Sequence, residues 1–259
     1  MEPKLKVVAI IQARMGSTRL PGKVLSLIEG EPLLQIVISR IRQVESIDYI
    51  VVATTTDSND DEICNWCIQN GIDFFRGESN DVLSRFFFCA SAFQADVIVR
   101  ITADDPLKDP CVINRAISLF KSDVDLDYVS NTLTPTYPEG LDVEVFGMSA
   151  LTKAFHQAEL LSDREHVTPY IWRQPESFVC LNFQHDVDYS FIRLTIDYDV
   201  DLDFIRQLVS LTPGGLYGNM QDYVATVDKY PALRLLNGGI TRNQGYIDSI
   251  KSELDGGML

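Results

Sequence analysis

Three basic side chains lie within ten residues of one another near the start of the chain: Arg14, Arg19 and Lys23. Glycine, serine and threonine residues separate them, so this loop offers both positive charge and backbone N–H donors to an anion. The preceding run, Val7–Ile11, is apolar without alternation, which is typical of a parallel strand buried on both faces. A helical pattern begins near Pro32. The order of strand, cationic loop and helix predicts a site for a phosphate chain.

Two acidic segments are further candidates for chemistry. Asp104 and Asp105 directly follow the apolar run Val97–Ile101, and Asp197 follows the alternating run Ile192–Ile196. Mg²⁺ takes one or two protein carboxylates together with substrate phosphates, so a carboxylate beside a phosphate loop suits this ion. Adjacent side chains diverge, and one residue of the Asp104–Asp105 pair is therefore expected on the metal. Ordinary roles remain open, as helix caps for this pair and as an acidic surface turn for Asp197.

The cationic loop differs from two common phosphate-binding motifs. A Walker A loop has four residues between its first glycine and the Gly-Lys pair, whereas five separate Gly16 from Gly22 here. The dinucleotide pattern Gly-x-Gly-x-x-Gly is also absent. The loop instead resembles that of sugar nucleotidyltransferases, most closely the SpsF-like spore coat polysaccharide biosynthesis family, which is related to CMP-KDO and acylneuraminate cytidylyltransferases. Its pattern Arg-Met-x-Ser-x-Arg-Leu-Pro-x-Lys is matched by Arg14, Met15, Ser17, Arg19, Leu20, Pro21 and Lys23.

This resemblance implies an activity. The expected reaction is transfer of CMP from CTP to a sugar or sugar acid with release of pyrophosphate, in surface polysaccharide or glycoconjugate biosynthesis. Mg²⁺ is the implied cofactor and a homodimer the implied assembly. A related enzyme that uses another nucleotide or a sugar phosphate acceptor stays open, as does a glycosyltransferase of the same fold. Such glycosyltransferases usually carry Asp-x-Asp after a central strand, which Asp104–Asp105 does not match, although Asp197–Asp201 imitates it.

The resemblance also implies roles for individual residues. Catalysis would depend on Arg14, Lys23 and Asp104, and Asp104 and Asp197 would hold Mg²⁺, with any approach of Asp199 or Asp201 left open. As loop cations, Arg19 and Lys23 are expected to affect activity and not folding. The nucleotide would contact Ala13, Arg14, Gly16, Ser17, Arg19, Lys23 and Asp104, with Ala13 against the base. The acceptor would meet polar residues of further family segments, namely Arg85, Glu139, Asp142, Glu144, Arg164 and His166. Arg85 equally suits a helix surface, and His166 equally suits a packing position.

Alternating strands and helices must position these residues. Strands are predicted at Lys6–Ile11, Tyr49–Thr54, Asp73–Phe75 and Val97–Ile101, and helices at Pro32–Gln43, Asp60–Asn70, Asp81–Phe93 and Asp109–Phe120. Asp60 and Asp81 are expected to cap their helices. Repeated βα units indicate an α/β fold, the nucleotide-diphospho-sugar transferase (Rossmann-like) fold that the resemblance also implies, with a mostly parallel sheet and helices on both faces. Ligands of such sheets bind beyond the carboxyl ends of the strands, where both the cationic loop and Asp104 lie.

The pattern changes after about residue 125. A mixed-sheet insertion is predicted, with short strands at Tyr128–Asn131, Leu141–Phe146, Phe178–Phe183 and Ile192–Ile196. We expect one nucleotidyltransferase domain over residues 1–259, with a nucleotide-binding half at about 1–125. An acceptor-binding and dimerisation section would follow at about 126–200, and a C-terminal helical part at about 201–259.

Composition limits the classes of partner and compartment. The formal net charge of −15 and isoelectric point near 4.5 argue against a nucleic-acid partner, since counterion-driven binding needs a basic surface. No apolar stretch has membrane-spanning length, and the first residues lack the layout of a signal peptide, so a cytoplasmic location is expected. The five cysteines suggest a reducing compartment. Cys64 and Cys67 form a Cys-x-x-Cys pair without further ligands, and we expect them to be small core residues.

Overall fold

The computed structural model describes residues 4–256. Its strands are β1 (Val7–Gln12), β2 (Leu27–Ile28), β3 (Glu31–Pro32), β4 (Tyr49–Thr55), β5 (Phe74–Gly77), β6 (Val97–Thr102), β7 (Tyr128–Ser130), β8 (Glu144–Gly147) and β9 (Cys180–Asn182). Its helices are α1 (Leu33–Ile41), α2 (Asp61–Asn70), α3 (Val82–Ala92), α4 (Pro110–Ser122), α5 (Met148–Gln157), α6 (Leu161–His166), α7 (Pro169–Trp172), α8 (Asp199–Leu211), α9 (Met220–Lys229), α10 (Arg234–Asn237) and α11 (Gln244–Gly256). The strands and helices predicted before residue 125 are confirmed, with ends that differ by one or two residues.

Seven of the strands form one sheet in the order β5-β4-β1-β6-β8-β7-β9. The first four run parallel, which confirms the doubly covered α/β architecture. Strand β8 is antiparallel to both β6 and β7, and β9 returns parallel to β7. The mixed section therefore extends the same sheet at the β6 edge. Strands β2 and β3 form a separate two-stranded hairpin.

Strand β1 is buried on both faces because hydrophobic cores lie on each side of the sheet. Val7, Ala9 and Ile11 pack into a core that helices α1, α4, α8 and α9 cover. Val8 and Ile10 face the opposite core, beneath α3 and α5. This two-sided burial explains the unbroken apolar run in the sequence.

Helix boundaries follow local capping interactions. Asp81 accepts a hydrogen bond from the backbone N–H of Ser84 at the start of α3, as expected. Asp109 caps α4 in the same way. Cys64 and Cys67 are buried free thiols of α2, which confirms their interpretation as core residues.

One predicted strand is wrong. Ile192–Ile196 is buried as expected, but it forms an isolated bridge to Glu139 and does not join a sheet. Its N–H groups bond instead to loop carbonyls, from Leu194 to Glu139 at 2.7 Å and from Ile196 to Asp104 at 2.9 Å. The alternating pattern therefore marks an extended segment that packs against the loops containing Glu139 and Asp104.

Within residues 4–256, no helix has both the length and the apolarity that crossing a membrane requires.

Arg40 of α1 ties the C-terminal helices to the sheet. Its side chain is 1% exposed and its guanidinium donates to the carbonyls of Lys108, Leu216 and Gly218.

We expect Arg40→Met to lower the free energy of unfolding by about 3 kcal/mol, because buried carbonyls would lose their donors. Urea denaturation measures this loss. The matched control is Arg42→Met at the exposed C-cap of the same helix, which should change stability by less than about 0.5 kcal/mol. Equal losses for the two variants would contradict the assignment.

Candidate active site

The cationic loop follows β1, and hydrogen bonds within the loop and to Asp60 fix its conformation. The N–H of Gly22, a residue with φ of 73°, donates to the carbonyl of Met15 at 2.9 Å. The carboxylate of Asp60 accepts the N–H of Met15 at 2.7 Å and the hydroxyl of Thr55 at 2.5 Å. Asp60 occupies the N-cap position of α2, as predicted, but its side chain makes no capping hydrogen bond there. This buried carboxylate fixes the conformation of the cationic loop instead.

Lys23 lies at the centre of the site. Its ammonium is 2.7 Å from Oδ2 of Asp104, 2.9 Å from Oδ1 of Asp197 and 2.8 Å from the carbonyl oxygen of Ile196. The residue is 7% exposed, so it is a buried ion-pair partner. Lys23 is therefore not the loosely packed loop cation on which the expectation of an unaffected fold depended, since its removal would leave two carboxylates facing each other.

Charge pairing outweighs burial at this centre. Burial by itself would raise the pKa of Asp104, but the ammonium of Lys23 lowers it to about 2. Burial likewise acts to lower the pKa of Lys23, and the charges of Asp104 and Asp197 raise it above the ordinary value. Both partners are therefore charged at neutral pH.

Asp197 receives two further cations. Arg19 lies 3.0 Å from its Oδ1 and stacks over the ring of Tyr198, with 5.2 Å between the guanidinium carbon and the ring centre. Arg193 lies 3.1 Å from Oδ2. This crowding of positive charge rules out the alternative of a simple acidic surface turn.

Arg193 was missed by the sequence analysis. Its side chain is buried, donates to Glu139 at 2.8 Å and forms two bonds with Asp201 at 2.9 and 3.0 Å. Burial by itself would lower the pKa of Arg193, but these carboxylates outweigh that effect and raise the pKa above its ordinary value. Asp197 and Asp201 lie only four and eight residues further along the chain, so the acidic run after Arg193 was the one local signal; the third partner, Glu139, is distant in sequence.

Asp105 turns away from Asp104. Its Oδ2 accepts from the hydroxyl of Thr102 and lies near the ammonium of Lys108, both at 2.8 Å. The alternative that these two acids cap the next helix is excluded, since Asp109 performs that function.

Arg14 and Arg85 form a second cationic region. Arg85 is fully buried, and its Nη1 donates to the carbonyl of Glu78 at 2.7 Å, while its Nε and Nη2 have no partner within residues 4–256. Burial and the nearby charge of Arg14 lower the pKa of Arg85 to about 10. Arg14 likewise forms no ion pair with any residue of the described range. Two neighbouring guanidinium groups without a carboxylate favour an anion from solution.

A cavity of about 560 Å³ opens beside Lys23. Of the residues expected to meet the acceptor, it is lined by Glu139, Asp142, Glu144 and His166. The three acids are paired within the protein, with Arg193, Arg242 and Arg100 respectively.

The two remaining acceptor candidates do not line this cavity. Arg85 is buried beside Arg14, as described above. Arg164 instead holds Asp81 with two hydrogen bonds, the shorter 2.5 Å. Arg85 belongs to α3 itself and Arg164 binds the residue that caps this helix, so both arginines lie at α3 and outside the cavity lining.

The donor set at Lys23 fits Mg²⁺. Among residues 4–256 there is no group of three or more His, Cys, Asp or Glu side chains that could enclose a metal ion. Two carboxylates, from Asp104 and Asp197, do converge on one cation, the ammonium of Lys23. Mg²⁺ commonly relies on one or two carboxylates and completes its shell with phosphate and water.

Comparison with known proteins decides the family. The family model described as cytidylyltransferase matches residues 8–228. The chain belongs to the cytidylyltransferase family. The spore coat polysaccharide biosynthesis protein SpsF of Bacillus subtilis is 38% identical over 176 residues, which cover 65% of this chain and 71% of that protein.

Solved structures of cytidylyltransferases share the fold. A cytidylyltransferase from Leptospira borgpetersenii superposes with a TM-score of 0.86 at 31% identity, over 92% of this chain and 100% of the other. A CMP:2-keto-3-deoxy-manno-octonic acid synthetase complexed with CTP has a TM-score of 0.62 at 18% identity, over 79% of this chain and 98% of the other.

His166 is an uncharged member of the cavity wall. Burial, together with the nearby charge of Arg100, lowers its pKa to about 4, against the opposing charges of Glu165 and Glu144. Its Nε2 lies 3.0 Å from the hydroxyl of Ser249.

This lowered pKa predicts a pH dependence of folding. Between pH 6.5 and 4 the unfolded chain binds a proton at His166 that the folded protein does not, so stability falls with falling pH. The loss from this residue should reach roughly 3 kcal/mol at pH 4. Urea denaturation from pH 7 to 4 should show a shallower decline for His166→Gln than for the unchanged protein. Parallel declines would show that the residue titrates normally.

Proposed function

We propose that this protein transfers CMP from CTP to a hydroxyl group of a sugar or sugar acid and releases pyrophosphate, with Mg²⁺ as cofactor. The observation that carries the proposal is the meeting of Asp104, Asp197 and Lys23 at the end of β6, beside the cationic loop. Family membership supports a cytidylyl transfer. The geometry supports a polyphosphate site, because basic side chains and two carboxylates converge there.

Mg²⁺ would be held by Asp104 and Asp197. These carboxylates already share one cation, Lys23, which lowers the pKa of Asp104. When bound, the ion would neutralise phosphate charge and orient the triphosphate.

The triphosphate would lie along the cationic loop. Arg14, Arg19 and Lys23 supply positive charge, and the N–H groups of Gly16 and Ser17 supply neutral donors. Arg14 and Arg85 favour an anion most directly, since neither guanidinium group pairs with a carboxylate of residues 4–256. Ala13 is 2% exposed at the end of β1 and would lie against the base.

The reaction needs little covalent work from the protein. The acceptor oxygen attacks the α-phosphorus in line, the bond from this phosphorus to the bridging oxygen breaks, pyrophosphate leaves, and the hydroxyl proton passes to solvent. The side chains position the two substrates and stabilise charge on the phosphates. Arg14 and Lys23 would provide most of that stabilisation.

The cellular setting is proposed from similarity to SpsF. We propose a cytoplasmic homodimer that serves surface polysaccharide or glycoconjugate synthesis. The nucleotide would bind the half before about residue 125, and the acceptor would bind residues of the 126–200 section around the cavity.

The nucleotide assignment predicts selective stabilisation. CTP with Mg²⁺ at about a hundredfold excess over its Kd should stabilise the protein by about 2.7 kcal/mol, because it binds only the folded state. Thermal denaturation should show a larger rise in Tm with CTP than with ATP or GTP at equal concentration. A larger rise with ATP or GTP would assign the site to another nucleotide.

The shared metal predicts non-additive substitutions. Asp104→Asn and Asp197→Asn should each abolish most of the Mg²⁺-dependent part of CTP stabilisation and reduce pyrophosphate release roughly a hundredfold. The double variant should be hardly worse than the poorer single variant, because both residues act on one ion.

The control for this cycle is Asp199→Asn. Asp199 is exposed and belongs to the same acidic segment, so its substitution should have a much milder effect. Losses that multiply in the double variant, or CTP stabilisation that is unchanged by EDTA, would rule out a metal shared by Asp104 and Asp197.

A further inference from the structure

The chain's C-terminal segment forms part of the acceptor cavity. The family model ends at residue 228, yet Asn243, Gln244, Gly245 and Tyr246 line the cavity beside Asp104 and Glu139. This wall is therefore contributed by residues beyond the part that the family model matches.

Polar contacts fix the start of the segment to the cavity acids. Arg242 pairs with the carboxylate of Asp142 and donates to the carbonyl of Tyr137 at 3.2 Å. The N–H of Asn243 donates to Oε1 of Glu139 at 3.2 Å. Asp142 and Glu139, which are expected to bind the acceptor, therefore also fix the position of this segment.

Helix α11 is docked against α6 along its length. The hydroxyl of Ser249 contacts Nε2 of His166 at 3.0 Å and donates to Glu165 at 2.8 Å. Farther along, the carboxylate of Glu253 accepts the N–H and the hydroxyl of Ser162 at 2.5 and 2.9 Å. These contacts keep the first turn of α11 at the cavity.

Tyr246 forms an aromatic corner with Trp172 and His166. The ring centres of Tyr246 and Trp172 are 5.9 Å apart with an interplanar angle of 70°, and those of Tyr246 and His166 are 5.1 Å apart at 82°. All three residues line the cavity. Perpendicular aromatic rings present an apolar face next to polar edges, which suits the C–H face of a sugar ring.

The segment also reaches the phosphate end of the cavity. A Cβ atom at Gly245 would lie 3.9 Å from Nη2 of Arg19, so the first turn of α11 extends from the cationic loop to the aromatic corner. Gln244 also lines the cavity; its Nε2 donates to Asp248 at 2.6 Å, and its Oε1 accepts no hydrogen bond within residues 4–256.

We propose that the segment Arg242–Tyr246 is the selectivity wall of the acceptor cavity. Tyr246 and Trp172 take the apolar face of a sugar ring, and the free oxygen of Gln244 accepts from a ring hydroxyl. The inference rests on the proposed function, which makes the occupant of this cavity a sugar or sugar acid.

Trp172 provides a direct probe of this wall. The chain has two tryptophans, and Trp66→Phe leaves Trp172 as the only one. In this background, Trp172 emission is titrated with mannose, N-acetylneuraminate and 3-deoxy-manno-octulosonate, with and without the αβ-methylene analogue of CTP and Mg²⁺. We expect a saturable change with at least one of these sugars.

Four substitutions are compared in that titration. Tyr246→Ala should raise the Kd for the sugar at least tenfold, whereas Tyr246→Phe keeps the ring and should change it by less than about twofold. Gln244→Ala, at a partly exposed site, should raise the Kd for the sugar at least threefold. If Tyr246→Ala does not fold, this variant decides whether the segment binds the sugar. Lys251→Ala, on the exposed side of α11, is the matched control and should have no effect.

The outcomes separate the two proposals. An unchanged Kd in the folded Tyr246→Ala variant, or no response of Trp172 to any of the three sugars, would overturn the selectivity wall. The rise in Tm caused by CTP alone is measured in the same proteins and should be equal in all of them. Absence of that rise in the unsubstituted protein would refute the cytidylyl assignment, while the sugar titration would still decide the role of the segment.

Discussion

The site depends on one buried ammonium group that three separate segments share. Lys23 comes from the loop after β1, Asp104 from the loop after β6, and Asp197 with the Ile196 carbonyl from the extended segment before α8. Each carboxylate would be costly to bury alone, and so would the lysine. Together they fix where the three segments meet, and this meeting point lies between the cationic loop and the cavity proposed to take the acceptor.

Structural features that depend on residues close together in the chain were predicted correctly from the sequence. The apolar run of β1, the helical spacing of α1 and the Asp81 cap depend on interactions within a few residues, so periodicity and capping rules predict them. The family resemblance implied that Asp104 and Asp197 meet at a shared Mg²⁺, because no local pattern relates residues so far apart. In the structure they meet at the ammonium of Lys23, a residue that the resemblance had assigned to the phosphates.

The errors have a common physical origin. Asp60 has the position of a helix cap, but the N–H of Met15 and the hydroxyl of Thr55 compete successfully for its carboxylate. Ile192–Ile196 alternates like a strand, yet its hydrogen-bond partners are loop carbonyls. In each case a tertiary partner, absent from the local sequence, determined which of two compatible structures forms.

The reversed direction of β8 has a consequence for how the two substrate regions can change. Parallel strands β1 and β6 deliver their following loops to the ligand edge, whereas antiparallel β8 delivers the loop that precedes it, where Glu139 and Asp142 lie. The residues proposed to bind the nucleotide therefore follow their strands, whereas those proposed to bind the acceptor precede theirs, on separate stretches of chain. Insertions or substitutions before β8 can change the proposed acceptor side without altering the loops after β1 and β6, so one half is free to diversify while the other stays constant.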